Sequence, residues 1–168
     1  MKATTCAAIA VLTFAVSSNA FAQSVRMPRP VPYAETADIA DNIKEECKLN
    51  EQLADFVQKY SKVNGVTVEF GNEPLDKTRG RVLDLHITNA ISLGNAWTGH
   101  HKQASAVGTL YENGTKVASF KARRQSMGGA FAGYKGSCSV LGRTVDAMGE
   151  DIAAWLKAPV EGAKLGDD

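Results

Sequence analysis

The chain has 168 residues, of which 19 are basic and 18 acidic, so its formal net charge is +1. This balance argues against binding to nucleic acid or to an anionic lipid surface. The length, together with 44% hydrophobic residues, suits one globular domain with its own hydrophobic core.

Residues 1–22 have the three parts of a secretory signal peptide. Lys2 supplies a positive start, an apolar run extends from Cys6 to Val16, and Ala20-Phe21-Ala22 matches the small-x-small cleavage pattern. The apolar run is shorter than the roughly 20 residues of a spanning helix, so a membrane anchor is the weaker alternative. We predict cleavage after Ala22, a periplasmic or secreted protein, and no membrane span in the mature chain.

Two cysteines, Cys47 and Cys138, remain after that cleavage, 91 residues apart. An isolated pair in an oxidising compartment is usually a disulfide. A redox pair would be closely spaced, as in C-x-x-C, and a nucleophilic cysteine would have to stay reduced outside the cytoplasm. We therefore predict a bridge between Cys47 and Cys138.

The first part of the mature chain predicts an extended lead over residues 23–35 and then helices. The stretch "QSVRMPRPVP" has three prolines, which favour an extended backbone. Two apolar runs of helical period follow, namely Ile39, Ile43 and Cys47, and then Leu49, Leu53, Phe56 and Tyr60. Asn50 is a candidate N-cap between them, so the pattern predicts two helices or one bent helix.

The middle of the chain predicts about four strands. "GVTVEFG" and "RVLDLHITNA" both alternate apolar and polar residues, the second with a polar face that includes His86. The dipeptide Asn113-Gly114 separates two further alternating runs, Ala104–Glu112 and Thr115–Arg123. Because both residues tolerate positive φ, the pair predicts a tight antiparallel hairpin.

The last predicted element is a long helix from about Ser137 to Lys157, with Ser137 as its cap and Pro159 beyond its end. Its apolar stripe consists of Cys138, Leu141, Val145, Met148, Ile152 and Trp155. The order of elements predicts a single α+β domain over residues 36–159. We expect an antiparallel sheet of about four strands, N-terminal helices and a long C-terminal helix on one face, one disulfide, and a flexible tail over residues 160–168.

These features resemble a known group of proteins. A cysteine on an early helix, the hairpin "GTLYENGTKVASFKARR", the stretch "SMGGAFAGYKGSC" and the ending "DIAAWL" are similar to a family of small exported proteobacterial proteins. The resemblance covers most of the mature chain and carries over no catalytic residue. A more distant likeness in layout is to small α/β domains of cell-envelope accessory proteins, such as the amino-terminal domain of TolB.

No motif in the chain predicts catalysis, a metal or a cofactor. The three histidines are His86, His100 and His101, and adjacent histidines point apart in an extended chain, whereas zinc needs three or four converging ligands. There is no G-x-S-x-G elbow, P-loop or dinucleotide fingerprint. We therefore predict that the protein is not an enzyme.

The glycine-rich stretch "QSMGGAFAGYKGSC" has two alternative interpretations. Its glycines, nearby cations and following helix start could hold a carboxylate or phosphate. Alternatively, the glycines let the backbone pass close to the sheet while the aromatic residues cover it, which is the interpretation that we favour. If the protein has a binding surface, this loop is the first candidate and the Trp97 loop the second. The candidate surface residues are Arg123, Arg124, Gly128, Gly129, Phe131, Tyr134, Lys135 and Trp97.

Together these observations predict an exported, non-catalytic protein. The first hypothesis is a binding or envelope-accessory module whose partner is an envelope protein. The alternative is a small secreted inhibitor or immunity-type protein that inserts an exposed loop into a target enzyme. The first predicts partners in the envelope, and the second predicts an enzyme as the partner.

Overall fold

The computed structural model describes residues 23–72, 79–93, 101–126 and 136–167. The predicted α+β class is confirmed. In chain order the elements are β1 (Gln23–Met27), β2 (Tyr33–Ile39), α1 (Asp41–Cys47), α2 (Leu49–Val63), β3 (Val66–Phe70), β4 (Arg81–Leu93), β5 (His101–Glu112), β6 (Thr115–Ser126), α3 (Ser137–Lys157) and β7 (Ala163–Gly166).

Within those ranges the strands form one mixed sheet of seven strands, in the order β3-β1-β4-β5-β6-β7, with β2 also paired to β4. The β4-β5 and β5-β6 pairs are antiparallel. The pairs β1-β3, β1-β4, β2-β4 and β6-β7 are parallel. The prediction of an antiparallel sheet of about four strands, followed by a C-terminal helix as the last element, is therefore wrong. The predicted sheet lacks the short strands β1, β2 and β7, and in the structure β7 comes after α3.

Strand β1 lies in residues 23–35, where the sequence predicted an extended lead. Val25 and Met27 are fully buried, and they alternate with the more exposed Ser24 and Arg26. This is the two-residue period of a strand. The prolines all come after Met27, so they remove no hydrogen-bond donor from β1. A strand with only two inward apolar residues is hard to recognise beside three prolines.

Strand β2 occupies a segment whose apolar spacing predicted a helix. Ile39 pairs with Ala90 of β4 and is buried there, as the last residue of β2. Helix α1 begins at Asp41, so Ile43 and Cys47 are helical and Ile39 is not. Three apolar residues at intervals of four cannot distinguish a helix from a strand that runs into a helix.

The break between α1 and α2 lies at Lys48, which has a left-handed conformation with φ 46°. Asn50 lies inside α2, and its side-chain oxygen accepts a hydrogen bond from the backbone N–H of Glu51 at 3.0 Å. The predicted N-cap at Asn50 is therefore wrong, whereas two separate helices are observed. Cys47, at the end of α1, is buried as the sequence predicted.

The hairpin prediction is confirmed. Strands β5 and β6 are joined by Asn113 and Gly114, which have φ values of 51° and 81°. Both strands are longer than the sequence indicated, since β5 begins at His101 and β6 ends at Ser126. The hairpin therefore extends along most of the sheet and supplies two of its three central long strands.

Helix α3 packs its apolar stripe against the sheet and α2. The ring of Trp155 lies edge-on to Phe120 of β6, with centroids 4.7 Å apart. Close to the middle of the helix, a Cβ at Gly149 would lie 2.6 Å from the Cβ of Phe56, so α2 and α3 touch there without a side chain between them. The N-cap is Gly136, with no side-chain hydrogen bond, and the predicted cap at Ser137 is wrong.

The predicted flexible tail also contains structure. Residues Ala163–Gly166 form β7, which pairs in parallel with β6 from Phe120 to Arg123. Asp167 then donates its backbone N–H to the carbonyl of Arg123 at 2.8 Å. Four residues are too few to show a strand period in a sequence, and the flanking glycines and aspartates resemble a frayed end.

The predicted disulfide is confirmed. Cys47 and Cys138 are bonded, with their Cα atoms 4.8 Å apart. The bridge joins the end of α1 to the first turn of α3, and it closes a loop of 91 residues. It therefore fixes the beginning of the long helix to the helical layer formed earlier in the chain.

Candidate functional site

The described sheet has one closed and one open face. On the closed face, helix α3 covers the inward side chains of β4, β5 and β6, and helix α2 packs on β3 and on α3. These inward side chains belong to the main hydrophobic core. The opposite side chains are half-buried or exposed, and no described helix packs on them. We call this surface the open face. It comprises Asp84, His86 and Thr88 of β4, Ser105, Val107 and Thr109 of β5, Ser119, Lys121 and Arg123 of β6, and Lys164 of β7.

Arg123 and Arg124 lie on opposite faces of β6, because successive side chains of a strand alternate. On the open face Arg123 is exposed and donates one hydrogen bond, from Nη2 to Oε1 of Gln103 at 2.9 Å. No carboxylate in the described residues pairs with it. The two arginines were predicted as parts of one candidate surface, and the structure does not bring them together.

Arg124 is held by two carboxylates at the edge of the closed face. Its Nε and Nη2 donate to Asp151 at 2.6 and 2.7 Å, and its Nη1 donates to Asp167 at 3.0 Å. The hydrogen bonds to Asp151, reinforced by the charges of both aspartates, raise the pKa of the guanidinium above its usual value. Arg124 therefore ties α3 and the end of β7 to β6, and three of its five N–H donors are engaged by carboxylates.

The open face carries two lysines side by side. Lys121 of β6 and Lys164 of β7 are paired in register, so their side chains emerge on the same face from strands roughly 5 Å apart. Both are exposed, and neither has an ion pair or hydrogen bond with a described residue. Like charges placed directly opposite each other destabilise a sheet, so this pair contributes nothing favourable to the fold.

Small side chains form the floor beside these cations. A groove of about 320 Å³ lies over β5, β6 and β7, and its lining includes Thr88, Ser105, Val107, Lys121, Arg123 and Lys164. A neighbouring groove of about 390 Å³ shares Val107, Lys121 and Lys164 and continues towards Thr109 and Ser119. The two grooves lie end to end along the strands, and the row of Val107, Lys121 and Lys164 lies between them. We call the two grooves together the channel.

The far side of the open face carries a carboxylate–imidazole pair. His86 Nε2 lies 2.8 Å from Oδ1 of Asp84, two residues earlier on β4. No serine, threonine or cysteine of the described ranges makes a hydrogen bond to His86. The pair therefore lacks the nucleophile that a triad would need. His101 lies on β5 at the end of the sheet, and His100 lies outside the described residues.

A buried lysine lies at one end of the closed face. Lys102 of β5 is 2% exposed, and within the described residues its Nζ donates only to the carbonyl of Leu93, at 3.4 Å. Burial lowers the pKa of this ammonium group. Neither adjoining undescribed segment, 94–100 or 127–135, contains an acidic residue.

The candidate residues in the two loops lie outside the described ranges. These are Trp97, Gly128, Gly129, Phe131, Tyr134 and Lys135. Their flanking residues do lie in the structure. Strand β4 ends, β5 begins and β6 ends at the same end of the sheet, where Ser92, Lys102 and Ser126 pair in one row. The topology therefore brings the ends of both connections together at the row that contains Lys102.

The groove of the open face contains residues that the sequence analysis did not select. Lys121 was considered only as one of the cations that precede the glycine-rich loop, and Lys164 was not considered because it lies in the predicted flexible tail. Residues 85–145 contain seven Lys or Arg residues and one acidic residue, Glu112. The balanced net charge conceals this segment, which includes the whole β5-β6 hairpin, and a running charge count would have found it.

A second groove, of about 410 Å³, lies beside the disulfide between α2 and α3. Its lining includes Cys47, Cys138, Glu46, Arg143 and Asp146, so opposite charges are mixed there. Asp146 is already occupied, because it accepts a hydrogen bond from Tyr60 at 2.9 Å. The mixture gives this groove no clear preference for one ligand charge.

The described ranges contain no group of three or more His, Cys, Asp and Glu residues that could hold a metal ion. Among the helices in those ranges, none has the length and apolarity needed to cross a bilayer.

Comparison with known proteins gives matches among solved structures. No family model and no curated protein matches the chain. It is similar to a minor lipoprotein from Acinetobacter baumannii, at 13% identity and a TM-score of 0.49, over 82% of this chain and 92% of that one. It is also similar to the PelC dodecamer from Paraburkholderia phytofirmans, at 10% identity and a TM-score of 0.45, over 76% and 86%. At these values the similarity carries no functional argument, and the family resemblance stays a prediction.

Proposed function

We propose that the protein is an exported, non-catalytic binding module of the cell envelope, and that the open face is its binding surface. The observation that carries this proposal is the uncovered row of Lys121, Lys164 and Arg123 beside the groove on β5. These cations have no described carboxylate partner, and two of them repel each other. Exposed, clustered cations without a carboxylate partner among the described residues favour a ligand of opposite charge.

The first 22 residues and the disulfide support export. The leader has the charged, apolar and small-residue parts of a signal peptide. The Cys47–Cys138 bridge is a type of bond that persists in oxidising compartments and is rare in the cytoplasm. Both features are expected together in a protein that folds outside the cytoplasm.

The arrangement of polar groups supports binding rather than catalysis. Catalytic sites bring an acid or base into reach of a nucleophile or a polarising group. In the described residues, the Asp84–His86 pair has no such neighbour, and Asp151 and Asp167 are engaged by Arg124. The polar groups that remain free on the open face are cations and hydroxyls, which bind anions and hydrogen-bond acceptors.

Photo-crosslinking in the native host tests this function. A photoreactive residue in place of Thr109, on the open face, should give a discrete covalent product in the envelope fraction. The matched control in place of Lys62, exposed on α2, should give none. Reciprocal capture with the tagged partner should return this protein, and the isolated protein should begin at Gln23. Equal products from both positions, no product from Thr109, or recovery of the protein only in the cytoplasm would contradict the proposal.

A further inference from the structure

We propose that the open face binds an extended acidic segment of a partner protein, with carboxylates at alternate residues. This inference rests on the proposed function and specifies the chemistry of the partner. The segment lies along the channel over β5. One of its carboxylates binds between Lys121 and Lys164, and the next binds at Arg123.

Charge complementarity is the first argument. Lys121, Lys164 and Arg123 lie together on one groove, and no described carboxylate pairs with any of them. The other cation near this channel, Lys116, is already paired with Glu161 at 2.7 Å. One carboxylate, that of Asp167, also lines the groove, and it is engaged by Arg124 and by the backbone N–H of Gln125. The three cations outnumber it, and an acidic ligand would neutralise them. Charge-assisted hydrogen bonds to a carboxylate are about twice as strong as neutral ones.

The spacing of the cations is the second argument. Lys121 and Arg123 are two residues apart on one strand, so their Cα atoms are separated by roughly 6.6–6.8 Å. An extended peptide has the same repeat, since its alternate side chains point to one side. Carboxylates at positions i and i+2 of such a peptide match the two cations. Lys164, in register with Lys121, gives one of these carboxylates a second ammonium partner.

The shape of the floor is the third argument. Ser105, Val107 and Thr109 form the surface of β5 in the channel, and none has a long side chain that would fill it. The hydroxyls of Thr88 and Ser105 can bond to the backbone of an extended peptide. The channel follows the strand direction, so a linear ligand contacts all three cations.

Binding of synthetic peptides to the purified protein tests the inference. One probe has seven residues, with glutamate at alternate positions and threonine between them. The second has the same composition with its glutamates at positions 1, 2, 5 and 6, so that no two of them are two residues apart. Isothermal titration at low salt should show at least about tenfold tighter binding of the alternating peptide, a factor that corresponds to about 1.4 kcal/mol. Higher salt should weaken binding of both peptides.

Charge variants locate the site. The double variant Lys121→Glu and Lys164→Glu should reduce the affinity for the alternating peptide by at least about tenfold. Arg123→Gln should reduce it by a smaller factor. The matched control, Lys62→Glu with Lys157→Glu, makes the same charge change on exposed residues of α2 and α3. It should change the affinity by less than about twofold, because screened charges away from the site contribute little.

Several outcomes would overturn the inference. These are no binding of the alternating peptide, equal affinity for the two peptides, or equal losses in the open-face and control variants. Inorganic phosphate at constant ionic strength should not displace the peptide, and full displacement dependent on Lys121 would assign the groove to a small anion. If the Thr109 crosslink identifies a partner while the peptides fail, the proposed function stands and the acidic segment is wrong. If both experiments fail, both proposals are wrong.

Discussion

The two faces of β6 use neighbouring arginines in different ways. Arg124, on the closed face, is held by Asp151 of α3 and by Asp167 after β7, and it ties three elements together. Arg123, on the open face, has one amide partner and lies beside two lysines with no described partner. Charges that are paired maintain the fold, whereas charges left unpaired on the same strand are available to a ligand. Adjacent residues of identical type therefore have separate roles.

The comparison predicts that changes on the closed side alter stability and that changes on the open face alter binding. The helical layer contains the disulfide, the contact at Gly149 and the aspartates that bind Arg124. Among the described residues, nothing hydrophobic covers the open face, and its lysines have no ion pair. Substitutions on each side should separate the two properties.

The largest effect is expected from replacing Cys47 and Cys138 together by alanine. Loss of a native disulfide that closes a long loop typically destabilises a small exported domain by about 2–5 kcal/mol. Denaturant unfolding of the oxidised protein and the double variant should show this difference. Where the variant is still folded, its affinity for the alternating peptide should be unchanged. A folded variant that no longer binds would show that the two faces are not independent.

A smaller effect should follow from Arg124→Ala. The substitution leaves two partly buried aspartates without their cation, so we expect a loss of about 1–3 kcal/mol in the free energy of unfolding. Arg123→Ala is the matched control on the other face of β6. As a surface change it should alter the free energy of unfolding by no more than about 0.5 kcal/mol. It should nevertheless weaken binding of the alternating peptide. Equal destabilisation by the two variants would contradict the assignment of the faces.

Lys102→Met should stabilise the protein by about 1 kcal/mol at neutral pH, because it removes a buried cation that has no described carboxylate partner. Burial lowers the pKa of Lys102 in the folded protein below its usual value of 10.5. Between the pKa of the folded state and that of the unfolded state, the unfolded chain therefore binds more protons than the folded protein. The stability of the wild type should therefore rise relative to the variant as the pH increases towards 10.5. Thermal unfolding of both proteins between pH 7 and pH 10.5 measures the difference in stability between the variant and the wild type, the gap that should narrow as the pH rises. A gap that widens with pH would contradict the effect of burial.

The smallest effect on stability is expected from Lys164→Ala. Removing one of two like charges placed in register should raise the free energy of unfolding by about 0.2–1 kcal/mol at low salt. The gain should shrink as salt is added. The same variant should bind the alternating peptide more weakly, so stability and affinity change in opposite directions. A loss of stability would show that Lys164 contributes to the fold.

The sequence predicts those elements that have a long period or a specific turn. The stripe from Leu141 to Ile152 and the Asn113-Gly114 turn determine α3 and the hairpin, and the isolated cysteines predict the disulfide. The short parallel strands are not predictable in this way, because β1, β2 and β7 depend on long-range pairing and show too few alternating residues. Because these three strands were omitted, the predicted sheet has about four strands, whereas the sheet of the structure has seven.

The candidate site was only partly predictable. Arg123 was selected with Arg124 because both come just before the glycine-rich stretch, but the alternation of a strand places them on opposite faces. Lys164 could not be associated with Lys121 before β7 was known, since only the parallel pairing of β6 with β7 brings them together. The charge of the hairpin was visible in the sequence, whereas its convergence on one groove required the sheet.

NMR mapping can locate the binding of an acidic, extended ligand to the open face residue by residue. Titration of the ¹⁵N-labelled protein with the alternating peptide should shift amide signals of β5, β6 and β7 around Ser105, Val107, Lys121 and Lys164. Signals of α2 should stay unchanged, and Lys121→Glu with Lys164→Glu should abolish the shifts. Shifts concentrated on α2 and α3 around the disulfide groove, or an unchanged response of the double variant, would contradict the account.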